Sequence, residues 1–452
     1  MTDAAVGAPP PLTPLPSGNA DYAIVGARLL DPGGDQWREG LAIRISEGRI
    51  AGVGPETDLP AERLLPRLRA TNCHLLPGLI DVHVHSEDWQ APLYLACGVT
   101  AVRDVGCSLA DVMARRERWN RRDGESPRLI CTGPLLDGDR QKGWTGMAEF
   151  VTSPAEAREQ VDRLVDAGVD QIKLYAALDR PCSLAVLERA QRHGRFTVAH
   201  LQDHMTAVEA ARAGVDEIEH LSGIAEAIWP ERHAAGEHWL DLWPDLEPQR
   251  VAAVLDEIVP RGTWLAPTRV VWQRIAEAPA PRLRRHRQFA HAPADLRRWW
   301  QQLYDQPTEQ RERLRRSRAL AGMQVVTAQL AERRVLLLAG SDAPFCHVMP
   351  GFGLLDELQL LAACGVPAAD CIRAATSSAA RALQIEDRVG RIAPGLDADL
   401  LILRDEPLAD LDAIMEPLVV IRAGHPLQPA ALLARARSWG SPRPAGRISA
   451  DY

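Results

Sequence analysis

Ala167-Gly168-Val169-Asp170-Gln171-Ile172-Lys173-Leu174-Tyr175 reads as a helix end, a stop and a strand. The glycine supplies the left-handed conformation that ends a helix. A short apolar run of strand character comes next, interrupted by one lysine. The phrase recurs. Cys97-Gly98-Val99-Thr100 precedes Ala101-Val102-Arg103-Asp104, and Ala213-Gly214-Val215-Asp216 precedes Glu217-Ile218-Glu219-His220. Two of the helices also carry start signals. Ser153-Pro154-Ala155-Glu156 and Thr206-Ala207-Val208-Glu209 both fit a capping box, the first with proline at the first helical position. A repeated helix–glycine–strand unit predicts a parallel sheet with helical crossovers.

Outward from these units, the same pattern gives eight strands: Gly78–His85, Val99–Asp104, Arg128–Thr132, Gln171–Tyr175, Phe196–His200, Glu217–His220, Thr263–Pro267 and Val335–Asp342. This alternation predicts an α/β fold, a (β/α)8 TIM barrel over residues 77–386. A doubly wound open sheet is the competing architecture, and it is disfavoured by the lack of any glycine-rich dinucleotide or phosphate loop. Residues 272–320, rich in arginine and carrying Trp272, Trp299 and Trp300, read as helical excursions after the seventh strand, either a lid or a solvated helical face. The flanks have another texture. Tyr22-Ala23-Ile24-Val25, Leu41–Ile45 and Arg49–Val53 are short strands separated by Pro32-Gly33-Gly34 and Glu47-Gly48, and Asp399–Leu403 and Leu418–Ile421 repeat the pattern late in the chain. Residues 21–76 and 387–430 are therefore expected to form one small β-sandwich domain from both chain ends, with residues 1–20 a flexible tail and 431–452 a C-terminal tail.

Composition bounds the partners. A chain of 452 residues with 46% hydrophobic and 25% charged residues suits one large soluble domain and a smaller one. Net charge of −8 argues against nucleic-acid and anionic-membrane partners. No run is long and apolar enough to span a bilayer. The proline- and alanine-rich start lacks the basic and apolar regions of a signal peptide. The eight cysteines (73, 97, 107, 131, 182, 346, 364 and 371) show no CxxC spacing, so neither a disulfide framework nor a zinc knuckle is expected. A reducing cytoplasmic location and a small-molecule substrate are the simplest expectation, with self-association into a homo-oligomer left open.

The chemistry gathers at strand ends, where barrels of this kind build their active sites. Strand one closes with His83-Val84-His85, whose spacing of two puts both imidazoles on one face. Strand four carries Lys173, strand five ends at His200, strand six at His220 and strand eight at Asp342. Each is ordinary alone, and an i,i+4 pair of His200 with His204 is a competing metal reading; the strand character of Phe196–Ala199 argues against it. Together they point to a metal site. Lys173 has further interest because the chain holds 50 arginines and only two lysines, Lys142 being the other. Compositional drift explains the scarcity. Yet a buried lysine can become a neutral amine, able to act as a base, form a Schiff base or take up carbon dioxide, and arginine can do none of these.

Gly78–His85, Lys173, His200, His220, Ala339-Gly340-Ser341-Asp342 and the flanking Gly390–Leu400 together resemble the amidohydrolase superfamily, in its binuclear-metal subgroup near imidazolonepropionase-like and prolidase-like hydrolases. The resemblance covers nearly the whole chain. It implies two divalent ions, expected to be zinc: His83, His85 and Asp342 hold the more buried one, His200 and His220 the other, and Lys173 bridges them as an N-carboxylysine carbamate. It also implies a hydrolase in which a metal-bridging hydroxide attacks an amide-type C–N bond while Asp342 moves the proton, acting on a dipeptide, an N-acyl amino acid or a related amide. Ester, lactone, carbamate or phosphoester hydrolysis is the alternative, and a non-catalytic scaffold a third. Substrate contacts are expected from Arg103, Trp144, Tyr175, Arg269 and His347, an arginine or tyrosine gripping a carboxylate. Asp104, Arg140, Lys142 and Thr268 also fall at strand ends or in nearby loops.

Overall fold

The computed structural model describes residues 15–438, apart from 17–19, 32, 34, 60–64, 139–143, 145, 203, 279–286, 307 and 334–335. Most of both expected tails, Arg140 and Lys142 lie outside the described residues.

The glycines act as the sequence requires. Gly98, Gly168 and Gly214 have φ of 79°, 83° and 86°, and each ends a helical segment before a strand. Thr206 and Glu209 form a complete reciprocal capping box on Ala207–Arg212. Ser153 caps Pro154–Asp166, but Glu156 reaches back to the Thr152 N–H, one residue further out than the box predicts.

Seven of the expected parallel strands form: Leu79–Val84, Val99–Asp104, Arg128–Cys131, Ile172–Leu174, Thr197–Ala199, Glu217–Glu219 and Trp264–Ala266. Their ladders are parallel and fall in two sheets, the first three strands in one and the last four in the other. An unforeseen short strand, Leu135–Asp137, pairs in parallel with Ile172–Leu174. The eighth expected strand is irregular. Among its described residues it makes one parallel bridge, Leu337 to Leu265. Its backbone nevertheless bonds on both sides: Leu338 N donates to Leu265 O, Val82 N to Ala339 O, and Asp342 N to His83 O. Neighbouring strands lie about 4.8 Å apart, which brings side chains from adjacent strand ends within reach of one another.

Two further sheets use the chain ends. One has Tyr22–Val25 between Leu41–Ser46 and Arg67–Arg69, with Arg49–Pro55 beyond. In the other, Leu400–Leu403 runs antiparallel to His74–Pro77, joining a late segment to an early one. Inward residues of both sheets, Ile24, Ile43, Ile45, Leu75, Ile402 and Ile421, share one apolar cluster.

One expectation needs correction. Residues 431–438, expected to be tail, belong to the helix Pro429–Ser438. Leu432 packs with Leu95 and Ala96, and Ala436 with Trp89 and Leu93. An i,i+4 apolar stripe against Ala91–Ala96 holds the segment down. The arginine- and tryptophan-rich segment after the seventh strand is indeed helical, as Arg269–Glu277, Ala294–Leu303 and Gln310–Glu332. Among the described residues no helix is long and apolar enough to cross a membrane.

Candidate active site

The six strand-end residues meet. His83, His85, Lys173, His200, His220 and Asp342 line one small space of about 10 Å³, about the size of a single water or metal ion. His83 and His85 point their Nε2 atoms at one carboxylate oxygen, Asp342 Oδ1, at 3.2 and 3.3 Å. The rings of His200 and His220 are 4.6 Å apart, and those of His83 and His220 also 4.6 Å.

Hydrogen bonding on the far side of the rings sets their tautomers. His85 Nδ1 lies 3.1 Å from Gly106 O, a carbonyl that can only accept, so Nδ1 carries the proton. His220 Nδ1 lies 2.6 Å from Thr268 Oγ1, whose own proton goes to Pro267 O, so again Nδ1–H is the donor. Both rings therefore turn a bare Nε2 lone pair inward, as metal-binding imidazoles do. Burial lowers the His83, His200 and His220 pKa values, His200 to about 3, which keeps the rings neutral. Burial and the nearby Arg103 charge also hold the Lys173 amine well below its ordinary value. For Asp342, burial alone would raise the carboxyl, but its buried neighbours His83 and His85 outweigh burial and hold it well below the usual range.

The backbone is strained at the same place. His220, Thr268 and Asp342 have φ of 61°, 45° and 60° without being glycine. Such conformations persist only where the surroundings over-determine them, and they gather at functional sites.

One member of the site was not foreseen. Glu219, fully buried, lies 2.8 Å from His83 Nδ1 and against the Lys173 amine. His83, Glu219 and His220 form a second group compact enough for a metal ion, beside His83, His85 and Asp342. His83 Nδ1, Lys173 Nζ and both Glu219 oxygens are buried without an aligned hydrogen bond. Buried polar atoms are rarely left so, and a cation among them would satisfy the oxygens. The donor set of imidazoles and carboxylates fits a divalent ion such as zinc.

Of the expected substrate residues, two reach the cavities and three do not. Trp144 and Tyr175 stand beside His200, and the Trp144 indole N–H donates to the Tyr175 hydroxyl at 2.7 Å. Arg103 instead lies beneath the site with no exposure, its guanidinium held by Glu217, Gln171 and the Val82 carbonyl. Arg269 turns away to the Leu320 carbonyl. His347 faces Asp305 at 3.2 Å among Phe289, Trp300 and Tyr304. In each case the position along the strand or loop is as expected, but buried partners set the side-chain direction. Thr268 orients His220, and Asp104 accepts from Ser86 and Gly106.

Two cavities open from the site. One of about 390 Å³ and one of about 670 Å³ share Trp144, His200, His220 and Trp272 in their walls. Leu303, Tyr304 and Arg316, from the segment after the seventh strand, wall the smaller one.

Known proteins resemble this chain in part. An ochratoxinase from Aspergillus niger is 25% identical over 288 residues, 48% of this chain and 58% of its own. Adenine deaminase 1 from Bradyrhizobium sp. (strain ORS 278) is 28% identical over 184 residues, 38% of this chain and 28% of its own. The chain thus spans less than two thirds of the length of these curated relatives. A solved Xaa-Pro dipeptidase with methionine bound in its active site superposes with a TM-score of 0.69 at 20% identity, covering 90% of this chain and all of its own, a likeness of fold. Residues 74–427 match the amidohydrolase family, and the chain belongs to that family.

Proposed function

We propose that the protein is a metal-dependent hydrolase of amide-type C–N bonds. The observation that carries this is the convergence of four imidazoles, one lysine and one carboxylate on a single buried space. The succession of parallel strands, with residues 336–343 bonded on both sides, supports a (β/α)8 barrel. The two end sheets with their shared apolar cluster support a β-sandwich beside it.

In this reading His83, His85, Asp342, His200 and His220, with a carbamate on Lys173, would hold the divalent ions. Bound ions would polarise the scissile carbonyl and make water acidic enough to attack it near neutral pH. The protein's own groups do the rest. Burial keeps the imidazoles neutral and their lone pairs available. Lys173, with 1% exposure, has an amine depressed enough to be neutral, the form that combines with carbon dioxide. Asp342, ionised and beside both His83 and His85, takes the proton of the attacking water and returns it to the leaving nitrogen. Trp144, Tyr175 and Phe345 crowd the approach and limit bulk water.

Metal analysis and a panel of amides and matched esters test the proposal. About two divalent ions per chain, with amide turnover abolished by chelation and restored by zinc, is the expected result. A metal-free preparation that still turned over amides would sink it, and ester turnover without amide turnover would reassign the bond.

A further inference from the structure

Arg103 is fully buried beneath the six strand-end residues, and no step of the hydrolysis uses it. Its guanidinium is nevertheless tightly held. Nε–H donates to the Val82 carbonyl at 2.7 Å. Nη1 donates to Gln171 Oε1 and to Glu217 Oε2, both at 2.8 Å, and Nη2 to Glu217 Oε1 at 2.5 Å. Nη2 also lies 3.6 Å from Glu219 Oε1. A guanidinium carries its N–H groups in one fixed plane, so partners on several sides set both its place and its rotation.

Each partner adjoins a residue of the site. Val82 precedes His83, Gln171 stands two residues before Lys173, and Glu217 two before Glu219 and three before His220. A spacing of two keeps side chains on one face of a strand, so Gln171 and Glu217 form the layer just below Lys173 and Glu219. Gln171 is itself fixed: its Nε2 donates to the Ala382 carbonyl at 2.7 Å, which leaves the amide oxygen for Arg103. Arg103 and Val82 belong to the first sheet of parallel strands and Glu217 to the second, so one side chain ties the two together.

Glu219 Oε1 connects this layer to the ligands. The same oxygen that stands 3.6 Å from Arg103 lies 2.8 Å from His83 Nδ1, while Oε2 faces the Lys173 amine. A buried carboxylate needs such a cationic neighbour to stay in place. A lysine could not substitute, because its ammonium is a point charge on a flexible stem and cannot serve a carbonyl, an amide and two carboxylates in one plane.

We infer that Arg103 is a positioning residue for the metal centre. Through Glu219 and the Val82 carbonyl it sets the His83 imidazole, and through Gln171 and Glu217 it fixes the strands that carry Lys173 and His220. This rests on the metal-site reading of the same residues.

The test uses the full chain, loaded with zinc or with cobalt(II), whose visible absorption reports ligand geometry. Arg103→Met combined with Glu217→Met removes the buried ion pair as a unit and puts apolar side chains of similar volume in its place, a change that folded proteins often tolerate. Arg103→Lys keeps the charge opposite Glu217 and loses the fork. Folding is checked by far-ultraviolet circular dichroism and the urea midpoint, and zinc affinity is read by competition with a chromophoric chelator. Zinc binding should weaken by about 10–100-fold in the double variant and by at least about threefold in Arg103→Lys, with an altered cobalt spectrum in both. Parent-like affinity or a parent-like cobalt spectrum in either folded variant overturns the inference. Failure of both variants to fold also overturns it, because Arg103 would then be a staple of the two sheets and not of the site. The parent separates this inference from the reading beneath it. A parent that binds neither ion sinks both, whereas a parent that binds them no better than its folded variants sinks this one alone.

Discussion

His83 Nδ1 lies 2.8 Å from Glu219 Oε1, with the imidazole 2% exposed and the carboxylate fully buried. The opposite nitrogen of the same ring faces Asp342. Glu219 is thus placed to orient a ligand imidazole from behind and to raise its basicity. Glu219→Gln keeps the shape and removes the charge. We expect zinc affinity, measured by competition with a chromophoric chelator, to fall by about 10–100-fold while the far-ultraviolet circular dichroism stays unchanged. Unaltered affinity would reduce Glu219 to a buried counter-charge for Arg103, which stands 3.6 Å away.

Lys173 supplies the second prediction. Arginine conserves its charge but cannot form a carbamate. Lys173→Ala should lose metal and at least about a hundredfold in turnover, with partial recovery on adding a short carboxylic acid together with zinc. Lys173→Arg should be as inactive and should not be rescued. Near-normal turnover in the arginine variant would exclude the carbamate.

The contrast between these two residues shows what was legible in the sequence. Lys173, His200, His220 and the His83–His85 pair could be found because a strand's period of two fixes the face each side chain takes, and glycine stops mark where strands begin. Glu219 follows the same period but reads as half of a polar-apolar-polar alternation, Glu217-Ile218-Glu219, which suits an exposed strand equally well. Its burial depends on Arg103, which arrives from a strand more than a hundred residues earlier and takes Glu217 as a bidentate partner. Charge complementarity between distant strands leaves no local trace. The same bond removed Arg103 from the substrate contacts. The β-rich ends were legible because turn residues punctuate them, whereas the helix Pro429–Ser438 was hidden by its shortness and by arginines between its apolar residues.

Asp397 joins the two parts of the molecule. Its side chain is fully buried, and Arg122, Arg128 and Arg388 converge on it, with Arg128 at 2.6 Å and Arg388 at 3.0 Å. Arg128 begins one of the parallel strands and is itself 3% exposed. Asp397→Ala leaves that guanidinium buried beside Arg422 with less compensation. Removing one partner of a buried ion pair costs about 3–5 kcal/mol. Urea unfolding should therefore show a lower midpoint, while zinc binding at the distant site is retained if the parallel strands survive on their own. A loss below about 1 kcal/mol would mean that Asp399, 3.8 Å from Arg128, takes over the role.

Glu357 should make stability depend on pH in the direction opposite to most carboxylates. Burial lifts its carboxyl from 4.5 to about 7, despite the hydrogen bond it accepts from the Val270 N–H at 2.7 Å. Its Oε1 has no hydrogen-bond partner, consistent with a neutral acid. Because the folded pKa is raised, the folded state binds more protons than the unfolded chain between these two values. The contribution of this group is then complete below about 4.5 and is lost as pH rises through about 7. The shift corresponds to on the order of 3 kcal/mol. Glu357→Gln keeps an acceptor for Val270 and removes the titration. Urea midpoints from pH 5 to 8 should therefore decline less steeply in the variant than in the parent, the two curves diverging most above pH 7. Parallel curves would show that Glu357 is ionised in the folded protein, with its charge met by Arg269.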